Sequence, residues 1–159
     1  HQIWYYYRNM IYIKYFIFSF ISAFLLSLFE IQTEGKHGWA KKLPTWKISF
    51  KFLDALPGFR GPVTGYHIYL FTMILFLVHI PFLFMRWDLR TEIIILSGYA
   101  LIAMLEDFLW FVLNPHYGIK KFKERHISWH EDWVGPIPMQ YIYVFIIWVA
   151  LFILGFFII

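Results

Sequence analysis

Residues 93–113 read IIILSGYALIAMLEDFLWFVL, an apolar run without a charge until the adjacent acids Glu106 and Asp107. Its length matches the roughly 20 residues that carry an α-helix across the hydrocarbon core of a bilayer. Three further apolar stretches, 4–29, 66–85 and 141–159, have similar length. Together they predict an all-α integral membrane protein, a bundle of four transmembrane helices over about 4–31, 66–86, 92–113 and 139–159. The chain is expected to be one polytopic domain over 1–159, its first apolar segment remaining as a helix.

Composition agrees with the windows. Apolar residues make up 60% of the chain and aromatics 24%, where an ordinary soluble domain is about half apolar. A chain of 159 residues has no length left for a separate soluble catalytic domain. Any active site must be built from the bundle and its loops.

If all four segments cross, the connections 32–65 and 114–138 share one side and form a loop-built cap. Ten basic residues lie there: Lys36, Lys41, Lys42, Lys47, Lys51, Arg60, Lys120, Lys121, Lys123 and Arg125. Only Arg8, Lys14, Arg86 and Arg90 belong to the other side. The positive-inside bias therefore predicts a cytoplasmic cap, with both termini outside. Topology and anionic lipid headgroups explain the net charge of +4, and no nucleic-acid partner is implied. The expected partners are membrane lipid and either further copies of the chain or a larger membrane complex. Cysteine is absent, which excludes disulfides, thiolate metal sites and iron–sulfur clusters.

Within the connections, Glu30 and Glu34 stand one helical turn apart, and Gly35 and Gly38 predict the end of the first helix. Residues 46–52 alternate apolar and polar as a half-buried strand does, while Lys47, Lys51 and Asp54 would share one face of a helix. Either reading lays the segment in the interface with its lysines in water. Asn114, Pro115 and Gly118 end the third helix. Trp39, Trp46, Trp129 and Trp133, with Tyr66 and Tyr117, suit an aromatic belt at headgroup level.

The chemistry-bearing residues gather on the cap side. Glu106 and Asp107 lie about two turns below the end of their helix, roughly 10 Å into the membrane at 1.5 Å per residue. Carboxylates are costly there, need partners and mark a functional site by default. They are the candidate catalytic residues. His37, His67, His116, His126 and His130, with Glu34, are the candidate ligands of a divalent metal, zinc or iron, because imidazole and carboxylate clusters suit those ions. His126 and His130 are four apart and would share one face of a short helix. His79 stands away from this group and is expected to hydrogen bond to another helix near Pro81. No histidine at matching depth completes a bis-histidine haem site, so haem is disfavoured.

The pair His126 and His130 resembles one histidine box of the membrane fatty-acid desaturases and hydroxylases, although the chain has a single box and no His-His pair. Residues 114–118, Asn-Pro-His-Tyr-Gly, are similar to the Arg-His-Pro-x-Tyr-x-Gly signature of integral membrane methyltransferases, without the Arg and with the His after the Pro. Neither resemblance assigns a family. Two functions remain. One is a metal-dependent membrane enzyme, hydrolase or oxidoreductase, acting on a lipid or other apolar substrate. The other is a non-catalytic membrane subunit or transport component, whose buried acids and His79 make helix or partner contacts.

Overall fold

The computed structural model describes residues 2–58, 61–123, 127 and 129–158. The chain is mostly helical, 68%. In order the elements are α1 (Gln2–Glu34), β1 (Lys47–Ile48), α2 (Lys51–Asp54), β2 (Val63–Thr64), α3 (Gly65–Val78), a 3₁₀ turn (Ile80–Leu83), α4 (Leu89–Leu113), α5 (Gly118–Lys123), β3 (Trp133–Val134), β4 (Ile137–Pro138) and α6 (Met139–Ile153), which ends in a π turn (Leu154–Ile158).

Among the described residues three helical stretches are long and apolar enough to cross a membrane: Met10–Glu34, Leu89–Leu113 and Met139–Ile158. The segment expected over 66–86 is different. Its α-helix has 14 residues, about 21 Å at 1.5 Å per residue, against a hydrocarbon core of about 30 Å. Pro81 is the physical reason for the break, since it has no N–H to donate and its ring clashes with the preceding turn. A fourth crossing would have to be assembled from α3 and the 3₁₀ turn together.

α4 is the central element, packed against α1 on one side and α6 on the other, while α3 touches α4 only lightly. The α1–α4 approach uses small residues, which let backbones come close where lipid supplies no hydrophobic drive. Ser19, Ala23 and Ser27 of α1 and Ser97 and Gly98 of α4 are all buried. Tyr15 ties the three long helices together. Its hydroxyl lies 2.9 Å from Ser97 Oγ and accepts from Trp148 Nε1 at 3.0 Å. Large apolar side chains such as Phe18, Phe76, Phe84 and Ile146 are exposed on the outside of the bundle, as contact with lipid would require.

The two long connections do meet at one end of the bundle. Asn114 Nδ2 donates to Gly35 O at 2.8 Å, the Tyr117 hydroxyl to Lys36 O at 3.1 Å, and Gly58 N to Asp132 Oδ2 at 2.7 Å. Beneath them Trp110, Phe111, Phe122 and Ile127 form a buried aromatic core, flanked by Trp129, Trp133 and Tyr141. Both readings of residues 46–52 are partly realised. Lys47 and Ile48 pair antiparallel with Thr64 and Val63, and Lys51 then opens the one-turn helix α2.

The expectation that His126 and His130 share one face of a short helix falls partly outside the described residues: His126 is not among them, and residues 127, 129 and 130 are non-helical. Ile127 and Trp129 are drawn into the aromatic core instead, and Trp133 Nε1 donates to His130 O at 2.6 Å. Aromatic packing thus outweighs local helix propensity here.

At the other end of the bundle α6 lies close on α4. A Cβ on Gly155 would sit 2.9 Å from Ile94 Cγ1 and 3.2 Å from Ile94 N. Because that neighbour includes backbone, Gly155→Ala should destabilise the protein by about 1–3 kcal/mol, the usual cost of overpacking. Thermal unfolding in detergent checks this, and an unchanged midpoint would show that the α6 end moves freely.

Candidate functional site

The polar centre of the molecule is assembled where α1, α3, α4 and the third connection meet. Glu30 and Glu34 project from the last two turns of α1, and Glu106 and Asp107 from α4. Adjacent residues on a helix point about 100° apart, so the two acids of α4 face different neighbours. Glu106, only 2% exposed, meets Glu30 at the wall of one small chamber.

Asp107 turns toward α6. Its Oδ2 lies 3.1 Å from His130 Nε2 and accepts a hydrogen bond from the Tyr141 hydroxyl. His130 Nδ1 lies 3.1 Å from Gln140 Oε1, so both ring nitrogens are engaged. The third connection therefore folds down into the mouth of the bundle, the condition for a loop histidine to reach an acid two turns deep. Asp107 remains 28% exposed at its side chain and lines the adjoining cavity.

His67 is set by the start of α3. Thr64 is the N-cap: its Oγ1 accepts from His67 N at 3.3 Å and lies 2.6 Å from His67 Nδ1. The other ring nitrogen, Nε2, is 3.5 Å from Glu34 Oε1. Glu34 also holds an unusual backbone. Gly38, Trp39 and Ala40 are successive left-handed residues, with φ of 53°, 49° and 49°, a conformation that costs roughly 1–2 kcal/mol for each non-glycine residue. Ala40 N donates to Glu34 Oε1 at 2.5 Å, Trp39 Nε1 donates to Pro62 O at 2.9 Å, and the Trp39 ring stacks on His67 at 4.4 Å. Gly38 must also be small, since a Cβ there would meet the Trp129 ring at 2.2 Å.

Two spaces open onto these groups. A chamber of about 50 Å³ is lined by Glu30, Glu34, His67, Glu106, Asp107 and Trp110, among others. It is large enough for a water molecule, which occupies about 30 Å³ in the liquid. Glu30 Oε1, Glu106 Oε1 and Trp110 Nε1 are buried without a hydrogen-bond partner. Next to it lies a mainly apolar cavity of about 410 Å³, walled by Phe71, Tyr99, Met104 and Val144 and reached by His67, Asp107, His130, Gln140 and Tyr141. His67 and Asp107 belong to both spaces.

Of the residues singled out from sequence, Glu34, His67, Glu106, Asp107 and His130 are brought together. His37 is half-buried and His116 exposed, on the cap surface away from the chamber. Desolvation, then the charges of Lys42, Lys36 and Lys41 and neighbouring His116, hold the His37 imidazole below its usual range. Burial and then the charge of Glu34 raise the Tyr117 hydroxyl. Among the described residues no three His, Asp or Glu side chains converge as metal ligands. His79 sits at the far end, with Nδ1 2.6 Å from Leu75 O and Nε2 3.0 Å from Glu92 Oε1 of α4. It makes the interhelical bond expected of it.

Tyr141, Gln140 and Thr64 were not singled out from sequence. Thr64 carried a readable signal, an N-cap residue just before an apolar helix. Gln140 and Tyr141 carried none, since only the docking of the third connection gives them partners. Comparison with protein-family models, with curated proteins and with solved structures finds no match to this chain.

Glu34→Ala removes the acceptor that holds Ala40 and should cost roughly 1–3 kcal/mol, the penalty for a buried donor left unmade. Glu34→Gln keeps an acceptor and should retain most of that stability. Equal losses in thermal unfolding for both variants would show that the carboxylate charge, and not the bond to Ala40, is what matters.

Proposed function

We propose that this is a polytopic membrane protein that carries out general-base chemistry on an apolar or lipid-like substrate bound in the 410 Å³ cavity, with Asp107 as the base. The observation that carries this reading is the asymmetric environment of the Asp107 carboxylate. Oδ2 is fixed by His130 and Tyr141, while the side chain, 28% exposed, lines the cavity and has its second oxygen outside those two bonds. Oriented carboxylates with one free oxygen suit proton abstraction from a hydroxyl or a water molecule. The Glu30–Glu106 pair, one residue along α4 and facing the same chamber, can accept the proton through a water molecule there. His130 and Tyr141 are then positioning residues.

A second reading is favoured by one observation. Glu30 Oε1 and Glu106 Oε1 are buried without a partner and both residues line the small chamber, and buried orphan oxygens of this kind suit a divalent cation such as zinc or iron. In that case Trp110 Nε1 would donate to an ion-bound water. The ion would supply a more acidic water molecule and leave the base role of Asp107 in place. The cap is assigned to the cytoplasmic side, on the ten-to-four split of basic residues.

Detergent-purified protein, screened for hydrolysis of lipid esters and lipid phosphates, should lose about 10²-fold or more of its turnover in Asp107→Asn, the range a general base contributes. Tyr141→Phe should lose less. Wild-type turnover in Asp107→Asn would end the general-base reading. Elemental analysis of the same tag-free protein separates the second reading: stoichiometric zinc or iron, lost in Glu106→Gln, supports it, and a protein that takes up no ion rules it out.

Cysteines introduced at Lys42 and Lys121 should react with an impermeant thiol reagent only after cells are opened. Labelling in intact cells would reverse the orientation, and labelling of one alone would separate the two connections.

A further inference from the structure

A third cavity, about 210 Å³, opens on the cap above the site and is lined by His37, Lys41, Lys47 and Glu131. It shares walls with the substrate cavity at Trp39, Gly61, Pro62 and Trp129, and Trp39 and Trp129 also wall the acid chamber. Three spaces of different chemistry thus adjoin one another around two indole rings: a cationic mouth, an apolar body and a carboxylate-lined recess. We propose that the mouth is a phosphate-headgroup site, and that the substrate is an amphiphile whose phosphate sits on Lys41, Lys47 and His37 while its apolar tail runs along Phe71, Tyr99 and Val144.

Charge and spacing support the assignment. A phosphate presents several acceptor oxygens and matches donors arriving from separate directions, which two ammonium groups and an imidazole provide. Lys47 Nζ donates to Lys41 O at 3.1 Å, which holds the Lys47 ammonium beside the Lys41 backbone, and both residues line the mouth. Glu131 carries the opposite charge on the same wall, and two lysines against one carboxylate leave the mouth net cationic. An anion is repelled from the recess, where Glu30, Glu34, Glu106 and Asp107 gather. The headgroup therefore stays at the cap while the tail points toward the membrane, past Ala103 and Tyr99, one and two turns deeper on α4 than Asp107. That orientation sets the bonds just below the headgroup beside Asp107. The inference rests on reading the 410 Å³ cavity as the substrate site, and it adds the class of headgroup.

The test uses full-length protein in dodecyl maltoside and a fluorescent dioleoyl phosphatidic acid, displaced by unlabelled phosphatidic acid, by dioleoylglycerol or by inorganic phosphate. Phosphatidic acid should displace the probe at least tenfold better than dioleoylglycerol and at least a hundredfold better than inorganic phosphate. Lys41→Glu and Lys47→Glu should each weaken binding about tenfold or more, in line with loss of a charge-assisted contact. Lys51→Glu, a charge change elsewhere on the cap, should weaken it less than threefold. Equal displacement by dioleoylglycerol would show that the phosphate is not read. Equal displacement by inorganic phosphate would make this a free-phosphate site. A Lys51→Glu effect as large as that of Lys41→Glu would reduce the mouth to general surface charge. Each of these three results overturns the proposal. The two readings fail separately: normal binding by the lysine variants with turnover lost in Asp107→Asn removes only the headgroup site. Lysine-dependent binding with full turnover in Asp107→Asn removes only the general base.

Discussion

The structure depends on a pair of adjacent acids inside an apolar helix finding separate partners. A carboxylate at membrane depth costs about 2.5–3.5 kcal/mol even on the mildest scale, and Glu106 and Asp107 are consecutive. Because they point about 100° apart, one neighbouring helix cannot serve both. α4 therefore has to lie between two partners. On one side α1 brings Glu30, and on the other α6 and the third connection bring Tyr141 and His130. The same requirement that orders the helices also gathers the ionisable groups.

Holding a loop histidine at that depth needs more than the hydrogen bond itself, which contributes about 0.5–1.5 kcal/mol net, or 1.5–3 when charged. The aromatic residues of the cap supply the rest. Trp129 packs on Phe111 and Trp110, with ring centroids 5.6 Å apart in each case, and Phe122 reaches both Trp133 and Tyr141. Each such pair contributes about 0.5–1.5 kcal/mol beyond burial. The tryptophans expected at the lipid headgroups are thus divided. Trp46 stays exposed at the rim, whereas Trp129 turns inward as a wall of the site.

The helices were legible because length and apolarity act through the solvent, which treats every apolar segment alike. α1, α4 and α6 follow from their windows with ends shifted by a few residues. α3 was read too long because Pro81 lies inside a continuous apolar run, and hydropathy does not register a missing N–H. The convergence of Glu34, His67, Glu106, Asp107 and His130 was legible as shared sidedness. Their division into Glu30–Glu106, Glu34–His67 and Asp107–His130 was not, because it depends on angles around helix axes and on the docking of a loop. His37 and His116 share the same side without reaching the acid chamber: sidedness fixes one coordinate and leaves the two lateral ones open.

The engaged ring nitrogens narrow what the histidines can do. His67 lies between Thr64 and Glu34, and His130 between Gln140 and Asp107. A histidine with both nitrogens occupied orients its carboxylate and has no lone pair free for an ion unless one of these contacts is given up. Metal-ligating histidines commonly have one nitrogen held by an outer partner, as both rings do here, with the other free for the ion. Here that second nitrogen meets a carboxylate. Glu30 and Glu106, the carboxyl groups of the chamber without a histidine hydrogen bond, are also those whose oxygens are buried without a partner. A cation would therefore be drawn first to that pair, leaving the histidine contacts intact. Ion binding and proton storage would then compete for the same carboxyl pair, while Asp107 keeps its orientation from His130 and Tyr141 in either state.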